Sequence, residues 1–320
     1  MSSVDVIIPV YKPDQSFFHL IKMLTHQTMP VNRILILNTE EKYFERLIYG
    51  TSFLEQYRNV DVIHLSKKEF NHGGTRHKGV ERSEAQVFVM MTQDAMPADR
   101  YLIERLVQAL NQEKAAVAYA RQLPVGKCHP IERFSRFFNY PPQGCVKSKE
   151  DLEQLGIKTY FCSNVCAAYR REIYDTLGGF VRYTIFNEDM IYAAAAIKSG
   201  YRVVYEADAK VLHSHNYTCL QQLHRNFDMG VSQADYPEIF SSLPAEKEGM
   251  RMIRETTSYL SREGKRRLIP YLYISSLYKY IGFVLGKNYR KLSPGLVKKC
   301  TSNQEYWEQK ERIGTEGKYR

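Results

Sequence analysis

Val87-Phe88-Val89-Met90-Met91-Thr92-Gln93-Asp94 is the stretch that decides the fold. Five consecutive apolar residues, with β-branched and aromatic members, predict a buried strand. Open α/β sheets bind their ligands beyond the carboxyl ends of such strands. Asp94, followed by Ala95-Met96-Pro97, stands at that position.

Outward from this strand the pattern repeats. Val4–Val10 is β-rich, Phe17–Thr25 shows helical spacing (Phe17, Leu20, Ile21, Leu24), and Arg33–Leu37 is a second strand. A helix over 41–57, a strand over 60–65 and a turn-rich loop over 70–76 leading into a helix complete the approach to Asp94. The order β-α-β-α-β-loop-α-β predicts an α/β fold with a doubly wound, mostly parallel sheet. Downstream come a helix over 100–111, a strand over 115–120, an irregular, proline-bearing stretch over 121–158 and an apolar run over 161–169. A helix over 170–177, an Ala-rich helix over 190–199 and strands over 201–205 and 210–212 follow. A long irregular stretch in a compact domain is usually functional, and 121–158 is expected to carry function. The pattern turns helical after Cys219, so the expected division is a sheet domain over 1–220 and a helical extension over 221–320.

The 320 residues are 44% apolar and 25% charged, an ordinary globular composition able to bury a large core. The net charge of +10 is concentrated: residues 262–320 hold 14 Lys/Arg against 5 Glu, a local +9. A nearly neutral remainder without RNP, zinc-finger or helix-turn-helix signatures excludes nucleic acid as partner. The apolar run 268–285 is short, rich in tyrosine and interrupted by Lys279, which argues against a membrane span. Tyrosines with flanking cations suit an anionic membrane surface instead, touched through residues 262–299. Six cysteines lack CxxC pairs and zinc-finger spacing. With a strand starting directly after Met1-Ser2-Ser3, a reducing, cytoplasmic setting is expected, peripheral on the inner face of the membrane.

Polar residues gather at strand ends. His213 and His215 follow Val211-Leu212 at i and i+2, which puts both imidazoles on one face. With Asp94 they form a donor set for Mn²⁺ or Mg²⁺, since a hard cation needs few protein ligands when phosphate oxygens supply the rest. Glu188-Asp189 precedes an apolar helix; it either serves the helix dipole or supplies a general base. In His72-Gly73-Gly74-Thr75-Arg76, glycine amides and the Arg76 fork suit an anion, although no Walker A or GxGxxG pattern is present. Tyr11 ends the first strand, where it can stack on a base.

Taken together these stretches resemble the inverting family-2 glycosyltransferases of the GT-A fold. The likeness covers roughly residues 4–220: Val6-Ile7-Ile8-Pro9-Val10-Tyr11, Phe88–Asp94, and the ordered series Asn164–Arg171, Gly178-Gly179-Phe180, Glu188-Asp189, Gly200-Tyr201 and Val211-Leu212-His213. Glu69–Arg76, Thr92-Gln93-Asp94-Ala95 and His213–Tyr217 are most similar to bacterial rhamnosyltransferases. That resemblance implies a dTDP-β-L-rhamnose donor and a cell-surface glycan acceptor on a lipid carrier. It implies nucleotide-sugar contacts at Pro9, Tyr11, Asn38, Thr39, Glu40, Gly73, Gly74, Arg76, Gln93 and Asp94. Asp189 becomes the catalytic base with Glu188 beside it, and Ser163 and Asn164 fall on the acceptor side. Asp94 matches the last aspartate of the DXD motif, Thr92 stands in place of the first, and either histidine completes the metal site, His213 by register. Asn38-Thr39-Glu40 replaces the family's acidic pair, and His77 replaces the asparagine after the diphosphate arginine. No QxxRW motif occurs, which argues against a processive synthase. The alternatives are a UDP-linked donor or a nucleotide-sugar binder without catalysis. A sugar nucleotidyltransferase would need a Gly-rich basic signature where Tyr11-Lys12-Pro13-Asp14 stands.

Overall fold

The computed structural model describes residues 2–241 and 246–316. Strands β1 (Val4–Tyr11), β2 (Arg33–Thr39), β3 (Val60–Leu65) and β4 (Val87–Met91) form the parallel half of a nine-stranded sheet, with β1 between β2 and β4. Next come β5 (Met96–Pro97), β6 (Ala115–Leu123), β7 (Cys145–Lys147), β8 (Cys166–Arg170) and β9 (Arg202–Leu212). The order is β3-β2-β1-β4-β8-β6-β9-β5, with β7 also on β9. Strand β8 runs antiparallel to both β4 and β6, whereas β9 is parallel to β6. The sheet is therefore mixed beyond β4.

Alternation splits the core. In β1, Val4, Val6, Ile8 and Val10 face one side, against Phe17, Leu20 and Leu24 of the helix Ser16–Thr25 and Leu102 and Leu106 of the helix Leu102–Ala109. Ile7 faces the other, with Phe88 and Met90 of β4, Val80 and the Ala-rich helix Glu188–Lys198. All five residues of β4 are buried, as a central strand covered on both faces must be.

Several local expectations change. The helix expected over 41–57 is two, Glu41–Ile48 and Phe53–Gln56, separated where Gly50 takes φ +70°. Residues 121–158 are far from irregular: they hold the end of β6, the helix Pro130–Asn139 with proline in its first turn, and β7. The two late strands are the single β9, whose pairing with β6 skips at Ala120/Arg121; that bulge reads as an interruption in the sequence.

The boundary expected at 220 is crossed by packing. In the helix Cys219–Asp235, Phe227 and Val231 share a core with Ile185, Tyr289, Tyr306 and Trp307. Tyr306, on the helix Gln304–Glu316, stacks on Tyr183 at 4.6 Å. The helix Ile269–Lys287 lies against Cys219–Asp235 through glycines. A Cβ on Gly282 would stand 2.2 Å from the Leu223 carbonyl oxygen, and one on Gly286 2.1 Å from that of Phe227. Overpacking of this kind costs about 1–3 kcal/mol. Gly282→Ala is accordingly expected to lower the unfolding free energy in a urea titration by that amount, with a lower midpoint. Gly249→Ala, in an exposed helical position with open space around it, should raise that free energy by about 0.5–1 kcal/mol. An undiminished midpoint for Gly282→Ala would show that the two helices do not depend on this close approach.

Candidate active site and metal centre

Backbone pairing brings the distant polar residues together. Strand β5 pairs antiparallel with the end of β9, Met96 opposite Leu212 and Pro97 opposite Val211. The Asp94 turn and His213 are thereby brought side by side. The Asp94 carboxylate lies 3.6 Å from His213 Nε2 and 3.2 Å from His215 Nε2, and the two Nε2 atoms are 3.0 Å apart. One ligand atom from each of the three residues falls within 4.8 Å of the others.

The state of His213 follows from its neighbours. Arg136 Nη1 donates to Gln122 Oε1 at 2.6 Å, which identifies that atom as the acceptor. His213 Nδ1 lies 2.9 Å from the same oxygen and must donate to it. Its Nε2 lone pair is therefore directed at Asp94 and His215, as a metal ligand requires. Burial lowers the His213 pKa, which favours the neutral ring; Asp94 pulls the other way. For Asp94, burial acts upward, but the two imidazoles beside it and the Thr92 hydroxyl hold the carboxyl below the ordinary range. Two nitrogens and a carboxylate fit a divalent cation of the Mn²⁺ or Mg²⁺ type, which would keep positions free for phosphate oxygens.

A hydrogen-bonded path joins this centre to the acidic pair. Gln122 Nε2 donates to Ser163 Oγ (3.0 Å), and the next residue, Asn164, donates its backbone N–H to Asp189 Oδ2 (2.9 Å). Asn187, at φ +64° ahead of the helix Glu188–Lys198, turns the chain so that Glu188 and Asp189 occupy its first turn. Burial first, and the Glu188 charge second, push the Asp189 pKa up to about 7, against the pull of the Asn164 and Met190 amides.

Beside the site is a cavity of about 500 Å³. Tyr11, Thr39 and Lys67 line it together with His72, Phe186, Tyr217 and Arg225, and Asp228, Ser302 and Glu305 add the C-terminal region to its wall. Asp228 holds that region, accepting from Thr301 Oγ1 at 2.6 Å and from the Ser302 N–H at 3.0 Å. Lys67 pairs with Glu305 at 3.1 Å.

Comparison with known proteins agrees with this architecture. The family model for glycosyl transferase family 2 matches residues 5–178. The chain belongs to glycosyl transferase family 2. It is 35% identical over 306 residues to the O-antigen chain rhamnosyltransferase RfbN of Salmonella typhimurium, covering 95% of this chain and 96% of that one. It is 35% identical over 313 residues to the O-antigen chain rhamnosyltransferase WbaN of Salmonella anatum, covering 96% of each. Among solved structures, the mannosyltransferase PcManGT of Pyrobaculum calidifontis, in complex with GDP-Man and Mn²⁺, has a similar fold. It aligns at TM-score 0.55 and 12% identity over 96% of this chain and 85% of that one. TarS 1–349 of S. aureus with UDP-GlcNAc aligns at TM-score 0.51 and 13% identity over 90% and 92%.

Within this family-2 glycosyltransferase, several expected ligand contacts have other partners. Arg76 is buried, with Nε 3.2 Å from Glu188 Oε1 and Nη1 donating to the His72 carbonyl, so it is not free to grip a diphosphate. Glu188 is spent on Arg76 and on Asn164 Nδ2, at 2.9 Å. Gly73 and Gly74 lie in the first turn of the helix His72–Glu81, where a Cβ would meet the carbonyl oxygens of Val181 and Arg182 at 1.9 and 2.5 Å. They serve close packing, and the Gly74 amide is capped by Asn71. Asn164 is buried and holds the acidic pair instead of an acceptor; Ser163 accepts from Gln122. Gln93 clamps the Tyr11 backbone, accepting from its N–H at 2.8 Å and donating to its carbonyl at 3.0 Å. Asn38 is buried against His64, and Glu40 ties the Lys67 amide. Pro9 lies within β1, opposite Leu37. Tyr11 and Thr39 do face the cavity, and the Thr39 hydroxyl is buried without a hydrogen-bond partner among the described residues.

Arg225 and Gln122 escaped the sequence reading. Arg225 projects between the rings of Phe186 (4.7 Å) and Tyr217 (5.6 Å) into the cavity. A lone arginine on a helix carries no sequence signal. Gln122, one step before the end of a strand, was signalled only by its place. Gln122→Met is expected to weaken Mn²⁺ binding about 10–100-fold in titration calorimetry, as lost outer-shell partners do. Unchanged affinity would show that His213 is oriented without it.

Proposed function

We propose that this glycosyltransferase moves L-rhamnose from dTDP-β-L-rhamnose to a hydroxyl of a glycan acceptor by single displacement with inversion, assisted by a divalent cation. The observation that carries the reading is the convergence of Asp94, His213 and His215, joined through Gln122, Ser163 and Asn164 to Asp189, with His215 stacked on Tyr217 of the cavity wall. The rhamnosyltransferase names of two relatives matched over nearly their whole length support the sugar.

Asp94, His213 and His215 would hold the cation, whose charge, when bound, stabilises negative charge growing on the leaving nucleoside diphosphate. Tyr11 and Thr39 receive the base end. Arg225, held between two aromatic faces with its fork open to the cavity, binds diphosphate oxygens in the role expected of Arg76. Asp189 accepts the proton of the attacking hydroxyl, and the ion pair of Glu188 with Arg76 keeps its basicity near neutrality.

A base must be ionised to act. With its pKa near 7, Asp189 loses activity about tenfold per pH unit below that value. The kcat/KM profile should show this acid limb. Glu188→Gln, by removing a neighbouring negative charge and freeing Arg76, should move the limb to lower pH. Asp189→Asn should abolish transfer while keeping the thermal shift given by the nucleotide with Mn²⁺; Arg225→Ala should lose that shift. Near-normal turnover in Asp189→Asn would refute the base assignment. A shift with UDP in place of dTDP would favour a UDP-linked donor.

The same reading places the enzyme on an anionic membrane face on the cytoplasmic side. On the helix Ile269–Lys287, Tyr273, Ile274, Leu277, Tyr280, Ile281 and Val284 are exposed, flanked by Arg266, Arg267, Lys287, Arg290 and Lys291. The segment Arg266–Lys287 is long and apolar enough to cross a membrane by composition, with 17% of its apolar window buried. Its polar tyrosines and basic flanks suit the interface better. Co-sedimentation with anionic vesicles should be strong at low salt and weaken as salt rises. Absence of binding at low salt would end this part of the proposal.

A further inference from the structure

The helix Ile269–Lys287 carries a lysine where its packing asks for something else. Leu272, Ser275, Gly282 and Gly286 are its buried residues, and Lys279 completes their heptad spacing on the face turned toward the rest of the protein. Small and apolar residues fill the other positions of that stripe. Lys279 instead lines a second cavity, of about 260 Å³, together with His129, Glu132, His215, Tyr217 and Tyr271.

Three features make this cavity a receptor for an anion. Lys279 forms no hydrogen bond or ion pair among the described residues. Burial lowers its pKa; the Glu132 charge opposes this, while Arg136 and Arg225 add to it. Glu132, the one carboxylate on this cavity among the described residues, is already engaged, since Arg136 Nε donates to its Oε1 at 2.7 Å. A half-buried ammonium among guanidiniums, with its nearest carboxylate committed, is a site short of negative charge.

Position narrows the anion. Tyr217 lines both cavities, so the second one adjoins the donor cavity across a single ring, and His215 brings it to the metal centre. The donor cavity has its own cation in Arg225, which lines that cavity and not the second one. Tyr271 links the cavity to the outside: it lines the wall, is 38% exposed, and begins the run of exposed residues Tyr273, Ile274 and Leu277. An anion entering beside an apolar, tyrosine-bearing face is the phosphate of a lipid.

We propose that the second cavity is the acceptor pocket and that Lys279 binds a phosphate group carried by a lipid-anchored acceptor. This rests on the transferase reading, and its test needs no turnover. Phosphatidylcholine vesicles doped with phosphatidic acid, a lipid phosphomonoester, are compared with vesicles of equal surface potential made with phosphatidylglycerol, both in excess EDTA. The wild type should bind the phosphatidic acid vesicles more tightly. Lys279→Met should remove that excess, about tenfold or more as expected for a charge-assisted contact, and leave binding to phosphatidylglycerol vesicles unchanged. Lys279→Arg should retain it. Since an apolar isostere of a buried cation is tolerated or stabilising, Lys279→Met should keep its melting temperature. An excess that persists in Lys279→Met overturns the proposal. Full competition by inorganic phosphate overturns the lipid assignment and makes a free phosphate the occupant. In both variants the thermal shift with dTDP and Mn²⁺ should remain. Its absence already in the wild type would overturn the transferase reading and leave the vesicle result standing.

Discussion

The whole site hangs on a two-residue strand. Met96 and Pro97 pair with Leu212 and Val211, and that short antiparallel match holds the Asp94 turn against His213 across more than a hundred residues of chain. Other backbone bonds reinforce it: the His213 N–H donates to the Leu123 carbonyl, and the Thr92 N–H to that of Val165. Because side chains alternate along a strand, a slip of one residue would turn the His213 and His215 imidazoles away from Asp94. The proline in this strand is tolerated because β5 lies at the edge of the sheet.

Charge is arranged around Asp189 with similar economy. Two adjacent carboxylates at a helix start could both be ordinary surface acids. Burial separates them. Glu188 is neutralised by Arg76 and Asn164 and stays ionised, whereas Asp189 has only backbone amides and feels its neighbour's charge. The two groups diverge in basicity because one has a cation and the other has none. Arg76 is thus taken up by Glu188.

The sequence made some of this legible and hid the rest for physical reasons. The buried run ending at Asp94 and the i, i+2 histidines announced themselves, because strand periodicity fixes which side chains share a face. The family likeness covered the sheet and the acidic pair. What could not be read is what side chains do with one another. Gly73, Gly74, Arg76, Gln93 and Asn164 are the residue types that bind phosphates and sugars, yet here each is consumed by the protein's own backbone or by Glu188. Arg225 lies outside any motif, and only the aromatic pair that frames it gives it a role. The segment 121–158 looked unstructured because proline and polar residues mark helix starts as readily as loops, which the proline at the start of Pro130–Asn139 illustrates.

The interlocked glycines of the C-terminal helices carry a mechanical consequence. With Gly282 and Gly286 seated against the carbonyls of Leu223 and Phe227, and Gly230 against that of Phe283, the helix Ile269–Lys287 can neither slide nor roll without collision. The tyrosine-bearing face of that helix is therefore held in one orientation relative to the helix Cys219–Asp235, and through the shared aromatic core of that helix to the segment that leads into the acidic pair. Close packing thus ties an outward face to the interior as one rigid piece.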